Sequence, residues 1–122
     1  MQRSMLKSKI HQATVTEANL QYEGSITIDA SLMQAADLLA GEQVHIVNLN
    51  NGSRIETYCV EGKPGSGTIC MNGAAARWAQ VGDVVIILSY SWMEDAQARH
   101  VRPKLVFVDR SNRIRESVPL HS

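Results

Sequence analysis

The sequence predicts a mainly β fold in which two similar halves close one barrel, with short helices between the strands. Short apolar runs bounded by Gly, Asn, Asp or Pro recur along the chain, as is typical of strands. The pattern Gly, acid, any residue, Val, any residue, Ile occurs twice, at residues 41–46 and 82–87. Each copy follows a short predicted helix, and two such halves closing a barrel would leave no exposed sheet edge.

The length and the charge of the chain narrow the class of protein. With 122 residues, 44% of them hydrophobic, the chain suits one domain, residues 1–122, around a single core. Lys and Arg total 12, as do Asp and Glu, so the basic excess typical of nucleic-acid binding is missing. No apolar stretch approaches the roughly 20 residues that span a bilayer, and residues 1–10 are too polar for a signal peptide. We therefore expect a cytoplasmic protein that binds neither nucleic acid nor membrane.

Six apolar runs are predicted to form strands. They lie at residues 14–15, 26–28, 44–49, 55–60, 84–88 and 105–108. Asn51-Gly52 separates the third run from the fourth, and this pair supplies the positive φ angles of a tight hairpin turn. The sequence therefore predicts a hairpin between these two strands.

Between the strands, residues 29–40 are predicted to form a short helix. Asp29 or Ser31 can serve as its N-cap, and Gly41 is the predicted C-terminal stop. Its buried face is predicted to carry Leu32, Met33, Ala36 and Leu39. Further helical turns are expected within residues 73–80 and 93–98.

Motifs that mark common metal, nucleotide and hydrolase sites do not occur in this sequence. Cys59 and Cys70 lack zinc-like spacing and are predicted to be small core residues in a reducing compartment. His45, His100 and His121 are interpreted as surface or core residues without a functional role. We therefore expect no metal site.

Two segments combine small and polar residues beside predicted strands. The Gly24-Ser25 bond comes immediately before the strand at 26–28, and glycine lets other groups approach the backbone closely. The segment Asn72-Gly73-Ala74-Ala75-Ala76 joins a strand to the start of a helix, where backbone N–H groups can seat a carboxylate. Taken singly, each segment is better explained as an ordinary turn.

The strand at 55–60 carries polar residues on one predicted face. If its side chains alternate regularly, Arg54, Glu56 and Tyr58 share that face. The other face then carries Ile55, Thr57 and Cys59. By itself, an Arg near a Tyr on a strand is usually a solvated or stacked pair.

Taken together, the order and spacing of four segments closely resemble the aspartate 1-decarboxylase family, whose members use a pyruvoyl group to make β-alanine. The segments are Lys9-Ile10-His11, Tyr22-Glu23-Gly24-Ser25, Asn51 to Tyr58 and Asn72 to Ala76. The resemblance runs nearly end to end and is weakest after about Asp109. It implies a six-stranded double-psi β-barrel that assembles as a homotetramer, with active sites between neighbouring subunits.

The resemblance also implies that the chain is an inactive precursor that cuts itself at Gly24-Ser25, giving chains 1–24 and 25–122. Ser25 Oγ would attack the carbonyl carbon of Gly24, and by family analogy the Thr57 hydroxyl would stabilise the oxyanion. β-Elimination and hydrolysis would then leave a pyruvoyl group at residue 25 and release ammonia. We expect local strain at Gly24 to assist this rearrangement.

The implied cofactor is therefore a pyruvoyl group made from Ser25, without a metal or pyridoxal phosphate. Its ketone would form an imine with L-aspartate and accept the electrons released as CO2 leaves, giving β-alanine for pantothenate biosynthesis. Arg54 would pair with a substrate carboxylate, for which the retained side-chain carboxylate is favoured, and Tyr58 would reprotonate the α-carbon. The remaining residues implied near the substrate are Lys9, His11, Tyr22, Thr57, Asn72, Gly73, Ala74 and Ala75.

Thr57 and Tyr58 present a conflict within this resemblance. Regular alternation directs them to opposite strand faces, whereas the family uses both beside one centre. A β-bulge, or a site at a subunit seam, would reconcile the two.

Two rival functions are less well supported. One is a non-catalytic swapped-hairpin or barrel module that binds DNA or a partner protein, which the zero net charge disfavours. The other is a pyruvoyl enzyme for a neutral or basic amino acid, which the predicted role of Arg54 disfavours.

Overall fold

A computed structural model describes residues 1–119 of the chain. In this part of the chain the strands are β1 (Gln2–Thr14), β2 (Glu17–Asn19), β3 (Ser25–Asp29), β4 (Gln43–Asn48), β5 (Arg54–Gly62), β6 (Ile69–Asn72), β7 (Val84–Glu94), β8 (Lys104–Val108) and β9 (Ile114–Pro119). The helices are α1 (Ala30–Ala35), a 3-10 helix (Gly73–Trp78) and α2 (Asp95–Ala98). The predicted mainly β fold with short helices is confirmed.

The strands form one sheet in the order β2-β6-β3-β5-β4-β7-β1-β8-β9. Although β1 and β2 stand far apart in this order, only Val15 and Thr16 separate them along the chain. Gly82 N–H donates to Val15 O at 2.8 Å on one side, and Thr16 N–H donates to Ile69 O at 2.8 Å on the other. The sheet therefore curls back on itself around one buried apolar cluster, as expected of a barrel.

The strand pairing is symmetric about the central antiparallel pair of β4 and β7. Ile46 lies opposite Ile87, and these are equivalent positions in the six-residue repeat. Outward from this pair, β5 flanks β4 and β1 flanks β7, both antiparallel. Beyond them, β3 pairs with β5 and β8 pairs with β1, both parallel. The two similar halves predicted from the repeat are thus present in the pairing.

Several predicted boundaries are wrong. The first strand was predicted at 14–15 but begins at Gln2. Its alternating pattern is interrupted because the buried residue Ser8 is polar and because the pairing with β7 shifts register after Leu6 and after Ile10. Strands β2, β6 and β9 were not among the predicted runs. In the hairpin turn the positive φ belongs to Gly52, at 75°, and not to Asn51 as well.

The first helix is also shorter than predicted, since α1 ends at Ala35 rather than near Ala40. Asp37 adopts a positive φ of 56°, which ends the helical path before Gly41. Leu39 is consequently 73% exposed instead of buried, while Leu32 and Met33 pack into the core as predicted. None of the helices in residues 1–119 has the length and apolar character that crossing a membrane requires.

Candidate active site

Strand β5 separates the predicted site residues into two groups. Its pairing with β4 runs from Arg54 to Tyr58 without a register shift, so its side chains alternate regularly. Arg54 and Tyr58 are exposed on one face, whereas Thr57 is half-buried on the other. The β-bulge that would bring Thr57 and Tyr58 together is therefore absent from this strand, and the alternative of a subunit seam remains.

The first group surrounds Ser25, the first residue of β3. Ser25 lies directly opposite Asn72 of β6, and each is only 2% exposed. Asn72 Nδ2 donates to Ser25 Oγ at 3.0 Å and to Thr27 Oγ1 at 2.8 Å. Cys70 Sγ donates to Asn72 Oδ1 at 3.1 Å. A buried chain of polar contacts thus holds the hydroxyl of Ser25.

Gly73 packs directly against the backbone that precedes Ser25. It has a positive φ of 59°, and a Cβ at this position would lie 2.7 Å from Gly24 N and from Tyr22 O. Because both obstacles are backbone atoms, no other residue fits here without moving the segment 22–24. At this contact the glycine with a left-handed backbone conformation is therefore Gly73. Gly24 itself does not have a positive φ, so the strain expected there is not seen in its φ.

Thr57 and Gly24 share a small pocket with Ala74 and Ala75. The pocket has a volume of ≈ 180 Å³ and lies between β5 and the 3-10 helix. Thr57 and the two alanines are thus on the same side of the molecule as the Gly24-Ser25 bond.

The far end of the 3-10 helix is held by the β4–β5 hairpin. Trp78 O accepts from Asn48 Nδ2 at 3.1 Å, Asn51 Nδ2 at 2.9 Å and Ser53 Oγ at 3.4 Å. Asn48 Nδ2 also donates to Asp83 Oδ2 at 2.9 Å, and this bond is the first cause of the lowered pKa of Asp83. The hairpin turn therefore positions the helix that carries Ala74 and Ala75.

The second group lies on the outer face, around Arg54. Arg54 Nη2 donates to Tyr90 OH at 3.3 Å and is 3.5 Å from His45 Nδ1. His45 Nε2 lies 3.4 Å from Glu56 Oε1, and the His45 and Tyr90 rings meet edge to face. These side chains line a groove of ≈ 420 Å³.

His45 was predicted to have no functional role, and Tyr90 was not singled out at all. The β4–β5 register places His45 opposite Glu56, and this pairing was accessible from the predicted hairpin. Placing Tyr90 beside Arg54 would have required knowledge of the β4–β7 pairing, which local sequence does not determine. His100 is exposed, as interpreted, and His121 lies outside the described residues.

Lys9 and His11 lie on β1, which pairs with β7 and β8 and not with β3, the strand that begins at Ser25. Lys9 is opposite Leu88 of β7, which is opposite His45 of β4, so Lys9 shares the outer face with the groove. Burial, and after it the charge of Lys9, lowers the pKa of His11. Among the described residues His11 Nδ1 has no hydrogen-bond partner, although it is buried.

Tyr22 belongs to the first group only through its backbone. Its carbonyl oxygen is one of the atoms that crowd Gly73, while its side chain is exposed.

Comparison with known proteins identifies the family of the chain. The family model described as aspartate decarboxylase matches residues 1–115. The aspartate 1-decarboxylase of Thermoanaerobacter pseudethanolicus is 59% identical over 113 residues, which cover 93% of this chain and 97% of that protein. That of Listeria monocytogenes serovar 1/2a is 58% identical over 119 residues, covering 98% of this chain and 94% of that protein. The chain therefore belongs to the aspartate decarboxylase family.

Proposed function

We propose that this chain is a pyruvoyl-dependent decarboxylase that converts L-aspartate to β-alanine and CO2 after cutting its own Gly24-Ser25 bond. The products of the cut are chains 1–24 and 25–122. The observation that carries the proposal is the buried hydroxyl of Ser25, held by Asn72 at 3.0 Å beside a backbone segment packed on Gly73. Membership of the aspartate decarboxylase family supports the substrate.

In the cleavage, Ser25 Oγ bonds to the carbonyl carbon of Gly24 while the C–N bond to Ser25 breaks. The hydroxyl proton passes to the freed amine, so an amide becomes an ester. Thr57 supplies the hydroxyl that stabilises the oxyanion, a role supported by the pocket that it shares with Gly24. Asn72 holds Oγ in place during the attack.

Elimination then completes the cut. The Cα proton of Ser25 passes to water, the Cβ–Oγ bond breaks, and Gly24 departs as a carboxylate. Addition of water and loss of ammonia convert residue 25 to a pyruvoyl group, which supplies an electron sink for decarboxylation of an amino acid. The small residues Gly24, Gly73, Ala74 and Ala75 around this position suit a group that must admit a substrate.

On the substrate, Arg54 binds the retained side-chain carboxylate of L-aspartate in a two-pronged contact. If Arg54 instead paired with the carboxylate that leaves as CO2, it would stabilise the ground state more than the transition state, because that carboxylate loses its negative charge during the reaction. Tyr90 and His45 orient the guanidinium of Arg54. Tyr58 donates the proton that replaces the departing carboxylate at the α-carbon.

We further propose a homotetramer in which the complete active site forms between neighbouring copies. Within one chain, Arg54 and Tyr58 lie on one face of β5 and Thr57 lies on the other. Arg54 and Tyr58 of one copy would therefore act at Ser25 of a neighbouring copy. Exposed Tyr58, Trp78 and Trp92 supply apolar surface that such an interface would bury. The mass in solution, measured by light scattering, should equal four chains.

The product β-alanine would enter pantothenate biosynthesis in the cytoplasm. The two buried free thiols, Cys59 and Cys70, suit a reducing compartment.

Intact mass spectrometry of the purified protein tests the central step. We expect two fragments that separate between Gly24 and Ser25, the larger without a free amino terminus, and production of β-alanine from L-aspartate. Ser25→Ala should fold and stay whole, because it lacks the nucleophile. A wild-type chain that remains whole after prolonged warm incubation would contradict self-cleavage, and cutting of Ser25→Ala at the same bond would exclude Ser25 as nucleophile.

A further inference from the structure

The side-chain amide of Asn72 uses both ends in the buried contact with Ser25. Its Nδ2 group, which has two N–H donors, reaches Ser25 Oγ and Thr27 Oγ1, and its Oδ1 accepts from Cys70 Sγ. Cys70 is buried and Asn72 almost completely so. The thiol of Cys70 is therefore the partner that distinguishes one end of the amide from the other.

The hydroxyls of Ser25 and Thr27 do not by themselves determine which way the amide faces. A hydroxyl both donates and accepts, so it can pair equally well with Nδ2 or with Oδ1. Burial, then the charge of Glu17 and a hydrogen bond to the Glu17 side chain, raises the pKa of Cys70 to about 11, so the thiol keeps its proton at neutral pH. A protonated thiol acts chiefly as a donor, and Cys70 Sγ lies 3.1 Å from Asn72 Oδ1, compared with 4.0 Å from Met71 O. At neutral pH Cys70 therefore favours the orientation of the Asn72 amide in which Oδ1 faces Cys70 Sγ.

We propose that Cys70 is a positioning residue for self-cleavage, because its thiol keeps the N–H groups of Asn72 directed at Ser25 Oγ. This inference rests on the proposed function. As the Cβ–Oγ bond breaks, Oγ leaves within the Gly24 carboxylate and gains negative charge. An N–H donor stabilises that charge, whereas a carbonyl oxygen in the reversed orientation repels it.

Cys59 provides a matched control for Cys70. It is the other buried free thiol, and its Sγ donates to Leu39 O at 3.3 Å, away from Asn72. Replacing either cysteine by alanine removes the same atom from a buried site. Only the Cys70 change removes a donor to Asn72.

The experiment compares Cys70→Ala, Cys70→Ser and Cys59→Ala with the wild type. Intact mass over time gives the rate at which each freshly purified precursor is cut, and thermal unfolding gives each Tm. We expect Cys70→Ala to cleave about tenfold more slowly, the scale of one lost hydrogen bond. Cys70→Ser should recover most of the rate, because its hydroxyl can donate to Oδ1. Cys59→Ala should cleave at the wild-type rate.

The Cys70→Ser variant separates positioning from general destabilisation. If the effect were a packing defect, the cleavage rate would vary with Tm and not with the presence of a hydrogen-bond donor at residue 70. If Cys70→Ala fails to fold, Cys70→Val, which fills the volume without a donor, takes its place in the comparison. A wild-type rate in the donor-free variant, or no recovery in Cys70→Ser, would overturn the role of Cys70. A wild-type chain that never cleaves would instead contradict the proposed function itself.

Discussion

Thr57 and Tyr58 are consecutive residues whose side chains leave opposite faces of β5. Thr57 shares a pocket with Gly24, and Tyr58 is 41% exposed on the face that carries Arg54. In the proposed function the first acts in cleavage and the second on the substrate. Because they are physically separated, variants of the two should affect different steps.

Thr57→Val should accumulate uncut precursor. The change keeps the shape of the side chain but removes the hydroxyl that stabilises the cleavage oxyanion, and loss of one such donor costs about a hundredfold to a thousandfold in rate. Time-resolved intact mass measures the effect, with Thr57→Ser as the control that retains the hydroxyl. Cleavage of Thr57→Val at the wild-type rate would exclude a role of the Thr57 hydroxyl in cleavage.

Tyr58→Phe should cut itself at a near-normal rate and yet turn over L-aspartate slowly. The ring and its packing are kept, but the proton donor is lost, which typically costs about a hundredfold or more. The measurement is β-alanine production by the fully processed variant. Undiminished production would remove Tyr58 from the mechanism.

Arg54→Ala should mature normally and lose most of its activity toward L-aspartate. Arg54→Lys should recover only part of it, because one ammonium cannot reproduce a two-pronged carboxylate contact. The two variants are compared by KM and kcat for L-aspartate after processing is complete. Equal turnover of L-aspartate and L-alanine by the wild type would be incompatible with this role of Arg54.

Gly73→Ala should fail to cleave or cleave very slowly. The added Cβ would meet Gly24 N and Tyr22 O at 2.7 Å, so the segment 22–24 must move and the Gly24-Ser25 bond is displaced. Gly41→Ala is the control, because Gly41 also has a positive φ, of 89°, but faces open space. Both variants bear the cost of a left-handed alanine, about 1–2 kcal/mol. Normal cleavage by Gly73→Ala would show that this contact does not position the bond.

The pH dependence of stability should include a contribution from Asp29. Burial raises the pKa of this carboxyl, but N–H donors from Gly67, Ser31 and Gly65 outweigh it, so the net pKa is lowered. The stabilisation is present above the unfolded pKa and is lost as pH falls through the lower folded value. Asp29→Asn should therefore unfold at a lower Tm at neutral pH, and the gap to wild type should narrow in acid. A gap that is independent of pH would contradict this account.

Features that depend on neighbouring residues were predictable from the sequence. The β4–β5 hairpin follows from Asn51-Gly52, because glycine adopts the positive φ that the turn needs. The opposite directions of Thr57 and Tyr58 follow from the two-residue period of a strand. The repeat at 41–46 and 82–87 likewise indicated the equivalence of β4 and β7, which pair at the centre of the sheet.

Features that depend on distant pairing were decided only by the tertiary structure. Asn72 reaches Ser25 because β6 pairs with β3, and Gly73 meets residues 22–24 for the same reason. Helix α1 ends early where Lys7, from β1, donates to Asp37 O and to Glu42, a contact that no local helix signal encodes. The sequence by itself determined the hairpin turn, the residue types of the site and five of the strands, namely β3, β4, β5, β7 and β8. Strand order and register decided which of these residues meet, because such contacts join parts of the chain that local propensities do not relate.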